Sequence, residues 1–248
     1  MKFGSMFATA LAALAVIAFP ADASTENVER RLILGGSTVP EGRKQYYAGM
    51  RNAADGKNFC GGTLISPIHV LTASHCIEYD IRWVSVGSHF NNGTDDGEQI
   101  KVAAVMNHPN FTLELKFSND FAILELETAS SFTPAKLAKA DGSDIKDGSS
   151  VVTVGTGRLS EGSSALAGHE LQRVNSTIIS NAQCQTDGGI TVDDSMVCVA
   201  GQVSMGFCDG DSGGPLFVEK SKKDTDDVVV GVVSWRNWRD GELVLRLD

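Results

Sequence analysis

The sequence has little positive charge for its size, with 21 lysines and arginines against 31 aspartates and glutamates and a formal net charge of −10. This balance argues against nucleic acid and anionic membrane surfaces as partners. Four of the five histidines form no cluster with one another or with cysteines at metal-ligand spacing, so we expect no metal and no other cofactor. These four are His69, His89, His108 and His169.

Long hydrophobic runs are also scarce, and the clearest one lies near the beginning of the chain. It extends from Met6 to Phe19, behind Lys2, and is followed by Ala21-Asp22-Ala23. A short positive start, an apolar stretch too brief to anchor in a bilayer and an Ala-x-Ala ending predict a secretory signal peptide over residues 1–23. We therefore expect a secreted, extracellular protein without a membrane-spanning segment.

The stretch from Cys208 to Leu216 gathers glycine, aspartate and proline around a single serine, Ser212. A serine that attacks a carbonyl needs an exposed Oγ on a rigid backbone, and glycines let N–H groups approach the developing oxyanion. The residues from Pro215 to Val218 are typical of a strand that enters a core and anchors the turn. Ser212 is therefore the candidate nucleophile, although the same residue types also form ordinary surface turns.

Two upstream motifs contain the partners that such a serine requires. His75 lies in Thr72-Ala-Ser-His-Cys76, and Asp120 lies in Ser118-Asn-Asp-Phe-Ala-Ile-Leu124 at the mouth of a predicted strand. In this order of histidine, aspartate and serine, the motifs resemble the trypsin and chymotrypsin family of serine proteases from about Ile33 to Trp235.

The resemblance implies how these residues work. His75 would act as general base, Asp120 would orient its imidazole, and the N–H groups of Gly210 and Ser212 would hold the oxyanion. Activation in the family places a freed amine against the aspartate that precedes the nucleophile, here Asp211.

The activation segment departs from the family by one residue. Residues 24–32 resemble a propeptide, and Ile33-Leu-Gly-Gly36 resembles the Ile-Val-Gly-Gly that begins mature family enzymes. Cleavage after Arg31 would leave Leu32 as the new terminus, one residue or about 3.4 Å too long for the usual pairing. Either another protease cuts after Leu32, or the pairing is shifted.

The implied fold is all-β, with two six-stranded antiparallel Greek-key barrels in a trypsin-like protease domain over residues 33–248. Short β runs between turn clusters support this architecture, with barrels at about 33–138 and 151–248. After Trp235 the family continues with a cysteine, a Gly-Val-Tyr strand and a helix, which residues 236–248 do not match. We therefore expect the second barrel to be incomplete at its C-terminal end.

Five cysteines in an exported chain predict disulfides with one thiol left over. The family's spacing implies the bridges Cys60–Cys76 and Cys184–Cys198, whereas Cys208 lacks the partner that family members carry after the Ser-Trp strand. Three Asn-x-Ser/Thr triplets predict glycosylation of a secreted surface. They begin at Asn92, Asn110 and Asn175.

The specificity pocket also departs from the family. Its floor corresponds to Gly206, so the aspartate that gives trypsins their Arg and Lys preference is absent. Ser234-Trp235 resembles the strand that pairs with extended substrate, but Arg236 replaces the glycine that follows. A long cation at the pocket mouth would obstruct bulky side chains or favour acidic ones.

Two functions follow from these residues. The first is a secreted serine endopeptidase that hydrolyses protein or peptide substrates through an acyl-enzyme, with activity impaired by the altered C-terminus. The alternative is a weak or inactive homologue that acts as a secreted effector and inhibits host endoglucanases. The stretch Gly93-Thr-Asp-Asp-Gly-Glu98 and the acidic loop Asp224–Asp227 resemble the glucanase inhibitor proteins of plant pathogens, which generally carry damaged triads.

Overall fold

A computed structural model describes residue 1 and residues 36–112, 117–159, 167–188, 191–200, 206–237 and 241–246. The predicted signal peptide, the predicted propeptide and Ile33 therefore lie outside the described residues, apart from Met1. All described strands belong to one unit, Arg31–Asp248. Within these ranges, no helix has both the length and the apolar character needed to cross a membrane.

The described ranges contain fourteen strands and one α-helix. The strands are β1 (Ser37–Thr38), β2 (Tyr47–Arg51), β3 (Cys60–Ser66), β4 (His69–Thr72), β5 (Trp83–Val86), β6 (Glu98–Asn107), β7 (Ala122–Leu126), β8 (Lys136–Leu137), β9 (Ser150–Gly155), β10 (Gln172–Ile179), β11 (Met196–Ala200), β12 (Pro215–Val218), β13 (Val228–Asn237) and β14 (Gly241–Arg246). Helix α1 covers Asn181–Gly188, and 3₁₀ helices cover Ser74–Tyr79 and Asp224–Asp226.

The first six long strands form a closed antiparallel barrel in the order β2-β3-β4-β7-β6-β5. Side chains alternate across each strand, so Ala122, Leu124 and Leu126 of β7 point into the buried core while the residues between them are half-buried. The all-β trypsin-type architecture predicted from the sequence is confirmed here.

The second set of strands pairs in an unbroken ring, which corrects the expectation of an incomplete barrel. Strands β9, β10 and β11 pair in succession, and β12 pairs with both β9 and β13. Strand β14 fills the remaining place, because it pairs antiparallel with β11 on one side and β13 on the other. The family's Gly-Val-Tyr sequence is missing, but backbone hydrogen bonds between strands do not require those side chains.

Two disulfides lie in these barrels. The structure joins Cys60 to Cys76, which ties β3 to the 3₁₀ helix after β4, and Cys184 to Cys198, which ties α1 to β11. Cys208 lies outside both bridges.

The charged run from Lys220 to Asp227 predicts a solvated hairpin loop, and this expectation is wrong for Asp227. Residues 220–223 are exposed, but Asp227 is fully buried. Asp224 accepts hydrogen bonds from the Arg43 guanidinium at 2.7–3.1 Å. The run therefore anchors the loop between β12 and β13 to the segment that precedes β2.

Candidate active site

His75 and Asp120 form a doubly hydrogen-bonded pair between the two barrels. The Asp120 carboxylate accepts the His75 backbone N–H at 2.8 Å through Oδ1 and contacts His75 Nδ1 at 2.7 Å through Oδ2. Ser234 Oγ donates a third hydrogen bond to Oδ2 at 2.6 Å. Because Asp120 is fully buried, these contacts fix the imidazole ring and keep a proton on Nδ1, which leaves Nε2 to act as base.

The loop that delivers Asp120 is held by a segment of the second barrel. Ser118 Oγ donates to Asp193 Oδ2 at 2.5 Å, and the Asn119 N–H donates to Ser195 Oγ at 3.2 Å. Burial alone would raise the pKa of the Asp193 carboxyl, but hydrogen bonds from Ser118 and Ser195 outweigh it and hold the pKa below its ordinary value. The two residues of each hydrogen bond are more than 70 positions apart in the chain, so no local sequence pattern predicted this contact.

Ser212 lies at the tip of a turn that needs glycine on either side. Gly210 and Gly213 have positive φ angles of 97° and 81°. A Cβ on Gly213 would lie 2.3 Å from Thr72 Oγ1, so a larger residue would clash with the first barrel. The Gly61 N–H donates to the Ser212 carbonyl at 2.7 Å, which ties the turn to β3.

Ser212 and His75 both line one open cavity of about 490 Å³. Within the described residues, however, no hydrogen bond joins Ser212 Oγ to His75 Nε2, and this nitrogen lies 3.8 Å from Cys76 Sγ. The candidate nucleophile and the candidate base therefore face one cavity without the direct hydrogen bond that would activate the serine. Such contacts also tighten on substrate binding, so this geometry is compatible with catalysis.

Asp211 is fully buried beneath the nucleophile. Its carboxylate accepts the Gly157 N–H through Oδ1 and the Cys208 N–H through Oδ2, both at 2.8 Å. Burial raises the pKa of this carboxyl to about 6, against the lowering effect of the two hydrogen bonds. The predicted partner of Asp211, the Ile33 amine, lies outside the described residues.

The predicted pocket residues are only partly brought together. Gly206 is buried beside the buried ring of Phe207, but residues 201–205 lie outside the described ranges. The hydroxyl of Ser234 contacts Asp120, a role that sequence reasoning missed. The backbone of Arg236 pairs with Glu242 of β14.

The predicted glycosylation sites lie on the surface of the protein. The three candidates Asn92, Asn110 and Asn175 are all exposed. Among the described residues, one group of potential metal ligands lies within 4.8 Å, namely Cys60, His75 and Cys76. The two cysteines form a disulfide with each other and offer no thiolate to a metal.

Comparison with known proteins agrees with this geometry. A family model described as Trypsin matches residues 33–243. Glucanase inhibitor protein 3 of Phytophthora infestans is 47% identical over 92% of this chain and 87% of its own length. Glucanase inhibitor protein 2 of Phytophthora sojae is 43% identical over 91% of this chain and 77% of its own. With its two barrels and with His75, Asp120 and Ser212 around one cleft, this chain belongs to the trypsin family.

Proposed function

We propose that this protein is a secreted trypsin-family protein that binds and inhibits a glucanase. The observation that supports this most is the similarity to seven relatives, each named a glucanase inhibitor protein, at 40–47% identity over 85–95% of this chain. Inhibition needs a rigid complementary surface and no turnover, so the missing contact between Ser212 and His75 is no obstacle to it.

The rim of the cleft offers a suitable contact surface. Tyr79 lines the cavity, is 59% exposed and contacts the Phe59 ring with centroids 5.7 Å apart. Tyrosines with a rigid apolar body and a polar tip dominate many protein interfaces. We therefore assign Tyr79 to the surface that meets the glucanase.

Mixing the purified secreted protein with a panel of plant endoglucanases tests this function. We expect a stable complex on size-exclusion chromatography and slower release of reducing sugars from β-glucan. The Tyr79→Ala variant should weaken inhibition about tenfold or more, as interface tyrosines often do. The matched control is Leu137→Ala, which removes another exposed apolar side chain, on β8. Normal sugar release with every glucanase would overturn the proposal.

A second candidate function, serine endopeptidase activity, is favoured by the intact contacts of His75 with Asp120 and of Asp120 with Ser234. In this reaction Ser212 Oγ attacks the peptide carbonyl carbon while His75 Nε2 takes its proton. His75 then protonates the leaving amine as the C–N bond breaks, which leaves an acyl-enzyme. Water, deprotonated by His75, hydrolyses the ester and regenerates Ser212.

A fluorophosphonate probe separates the two functions. An active site of this kind labels at Ser212, and the Ser212→Ala variant loses labelling but keeps glucanase inhibition. Peptide-library profiling with Ile33 exposed as the N-terminus should show slow cleavage without preference for Arg or Lys, because Gly206 offers no counter-ion to a buried cation. A folded protein that resists labelling even with Ile33 exposed as its N-terminus would overturn the endopeptidase function.

A further inference from the structure

Arg51 is a fully buried cation whose partners are neutral oxygens. Its Nε donates to Asn58 Oδ1 at 2.7 Å, and Nη1 donates to the carbonyls of Ala54 and Gly93 at 3.0 and 2.6 Å. Nη2 donates to the Phe90 carbonyl at 3.3 Å. Because an arginine has only donors, this contact defines which end of the Asn58 amide is oxygen and directs its NH₂ group elsewhere.

The NH₂ group of Asn58 reaches across to the second barrel. Asn58 Nδ2 donates to Thr156 Oγ1 at 3.2 Å, and this hydroxyl lies 3.5 Å from the Tyr47 hydroxyl. Asn58 can occupy this position only beside a glycine, since a Cβ on Gly49 would lie 2.2 Å from Asn58 Cγ. All of these side chains are buried, and Asn58 and Thr156 also line the open cavity that contains Ser212 and His75.

Thr156 belongs to the loop on which the predicted oxyanion site rests. The next residue, Gly157, donates its N–H to Asp211 Oδ1 at 2.8 Å. A Cβ on Gly210 would lie 3.0 Å from Gly157 Cα, which shows how closely the two backbones pack. The Arg158 N–H donates to the Asp209 carbonyl at 2.8 Å and extends this contact.

We propose that Arg51, Asn58 and Thr156 are positioning residues that fix Gly157 and thereby set the direction of the Gly210 N–H in the oxyanion site. Thr156 stands between two glycines, which have no side chains, so its hydroxyl is the side-chain contact through which this loop binds Asn58 of the first barrel. This inference rests on the proposed serine chemistry for its kinetic consequence, but its structural consequence is independent of turnover.

The experiment compares Thr156→Val, which keeps the shape and removes the hydroxyl, with Thr156→Ser, which keeps the hydroxyl. The first readout is the rate at which a fluorophosphonate labels Ser212 in the full secreted protein. The second readout is hydrogen exchange of the amides in residues 155–158 and 208–212, measured by mass spectrometry. Thermal unfolding shows whether either variant loses global stability.

We expect Thr156→Val to label about 10- to 100-fold more slowly, as expected for a displaced oxyanion donor, and to exchange faster in both segments. Thr156→Ser keeps the hydroxyl, so its labelling rate and its amide exchange should both remain close to those of the parent. Equal behaviour of the two variants, or unchanged exchange in Thr156→Val, would overturn the inference. If the parent protein is not labelled at all, the serine chemistry fails, and hydrogen exchange alone decides the inference.

Discussion

Lys44 Nζ lies 2.7 Å from Asp227 Oδ2, and both side chains are almost completely buried, with exposures of 3% and 0%. The ammonium also contacts Glu219 at 2.7 Å and Asp224 at 3.2 Å, and the Tyr46 hydroxyl donates to the same Asp227 oxygen at 2.8 Å. Burial would lower the pKa of Lys44, but these carboxylates raise it above its ordinary value. The cluster holds the start of the first barrel against the β12–β13 loop.

The Lys44→Met variant should be strongly destabilised, because it leaves Asp227 buried without its cation. The expected loss is about 3–5 kcal/mol in the free energy of unfolding, as for other broken buried pairs. Denaturant unfolding measures it. The control is Lys220→Met, which breaks an exposed 2.7 Å pair with Asp144 and should change stability by less than about 1 kcal/mol. Equal losses in the two variants would contradict this account.

Asp224 should make the protein acid-sensitive. Burial alone would raise the pKa of its carboxyl, but hydrogen bonds from Arg43 and Lys44 outweigh it and hold the pKa at about 2. Since an unfolded aspartate has a pKa of about 3.9, this stabilisation is present above that pH and is lost as the pH falls towards about 2. The melting temperature of the parent should therefore fall more steeply over this range than that of Asp224→Asn. An equal fall in the melting temperatures of the parent and of Asp224→Asn would contradict the low pKa of Asp224.

The pH dependence of the stability that Asp211 contributes should be opposite in sign to that of Asp224 and should occur at higher pH. Its pKa is raised to about 6, so the folded state binds the proton more tightly than the unfolded state. The contribution of the Asp211 proton to the free energy of unfolding is therefore largest below about pH 4 and declines as the pH rises to about 6. Urea unfolding should show the stability of the parent, relative to Asp211→Asn, decreasing between these values. A constant difference would mean that the carboxyl does not titrate there.

Gly155→Ala should disturb the Asp211 carboxylate beneath the candidate active site. The added Cβ would lie 2.0 Å from Asp211 Oδ1, so the carboxylate must move and its hydrogen bond with Gly157 must weaken. We expect a stability loss of about 1–3 kcal/mol, typical of overpacking, together with slower fluorophosphonate labelling. Unchanged labelling and stability would place the Asp211 carboxylate elsewhere.

Deleting residues 241–248 tests the role of β14. Without this strand, β11 and β13 expose unpaired backbone groups along their facing edges, which promotes aggregation. We expect less soluble protein on expression and a lower melting temperature. Normal yield and melting temperature after the deletion would show that β14 is not needed to close the ring.

The sequence predicted the β strands well, because short apolar runs between glycine-rich turns are a local signal. It failed at the end of the second barrel for a different reason. The expected loss of a strand came from missing family side chains around Gly241–Arg246, whereas strand pairing depends on the backbone and on the open edges of β11 and β13. The burial of Asp227 was missed for a related reason, since Lys44 lies 183 positions away.

Local motifs were enough to indicate the family and to single out His75, Asp120 and Ser212 as candidate site residues, because each motif carries its turn chemistry within a few residues. Only the tertiary structure decided which groups surround them. The contacts of Ser234 with Asp120 and of Asn58 with Thr156 join residues 114 and 98 positions apart. Such contacts form where two barrels meet, and a linear pattern does not encode the distance between barrels.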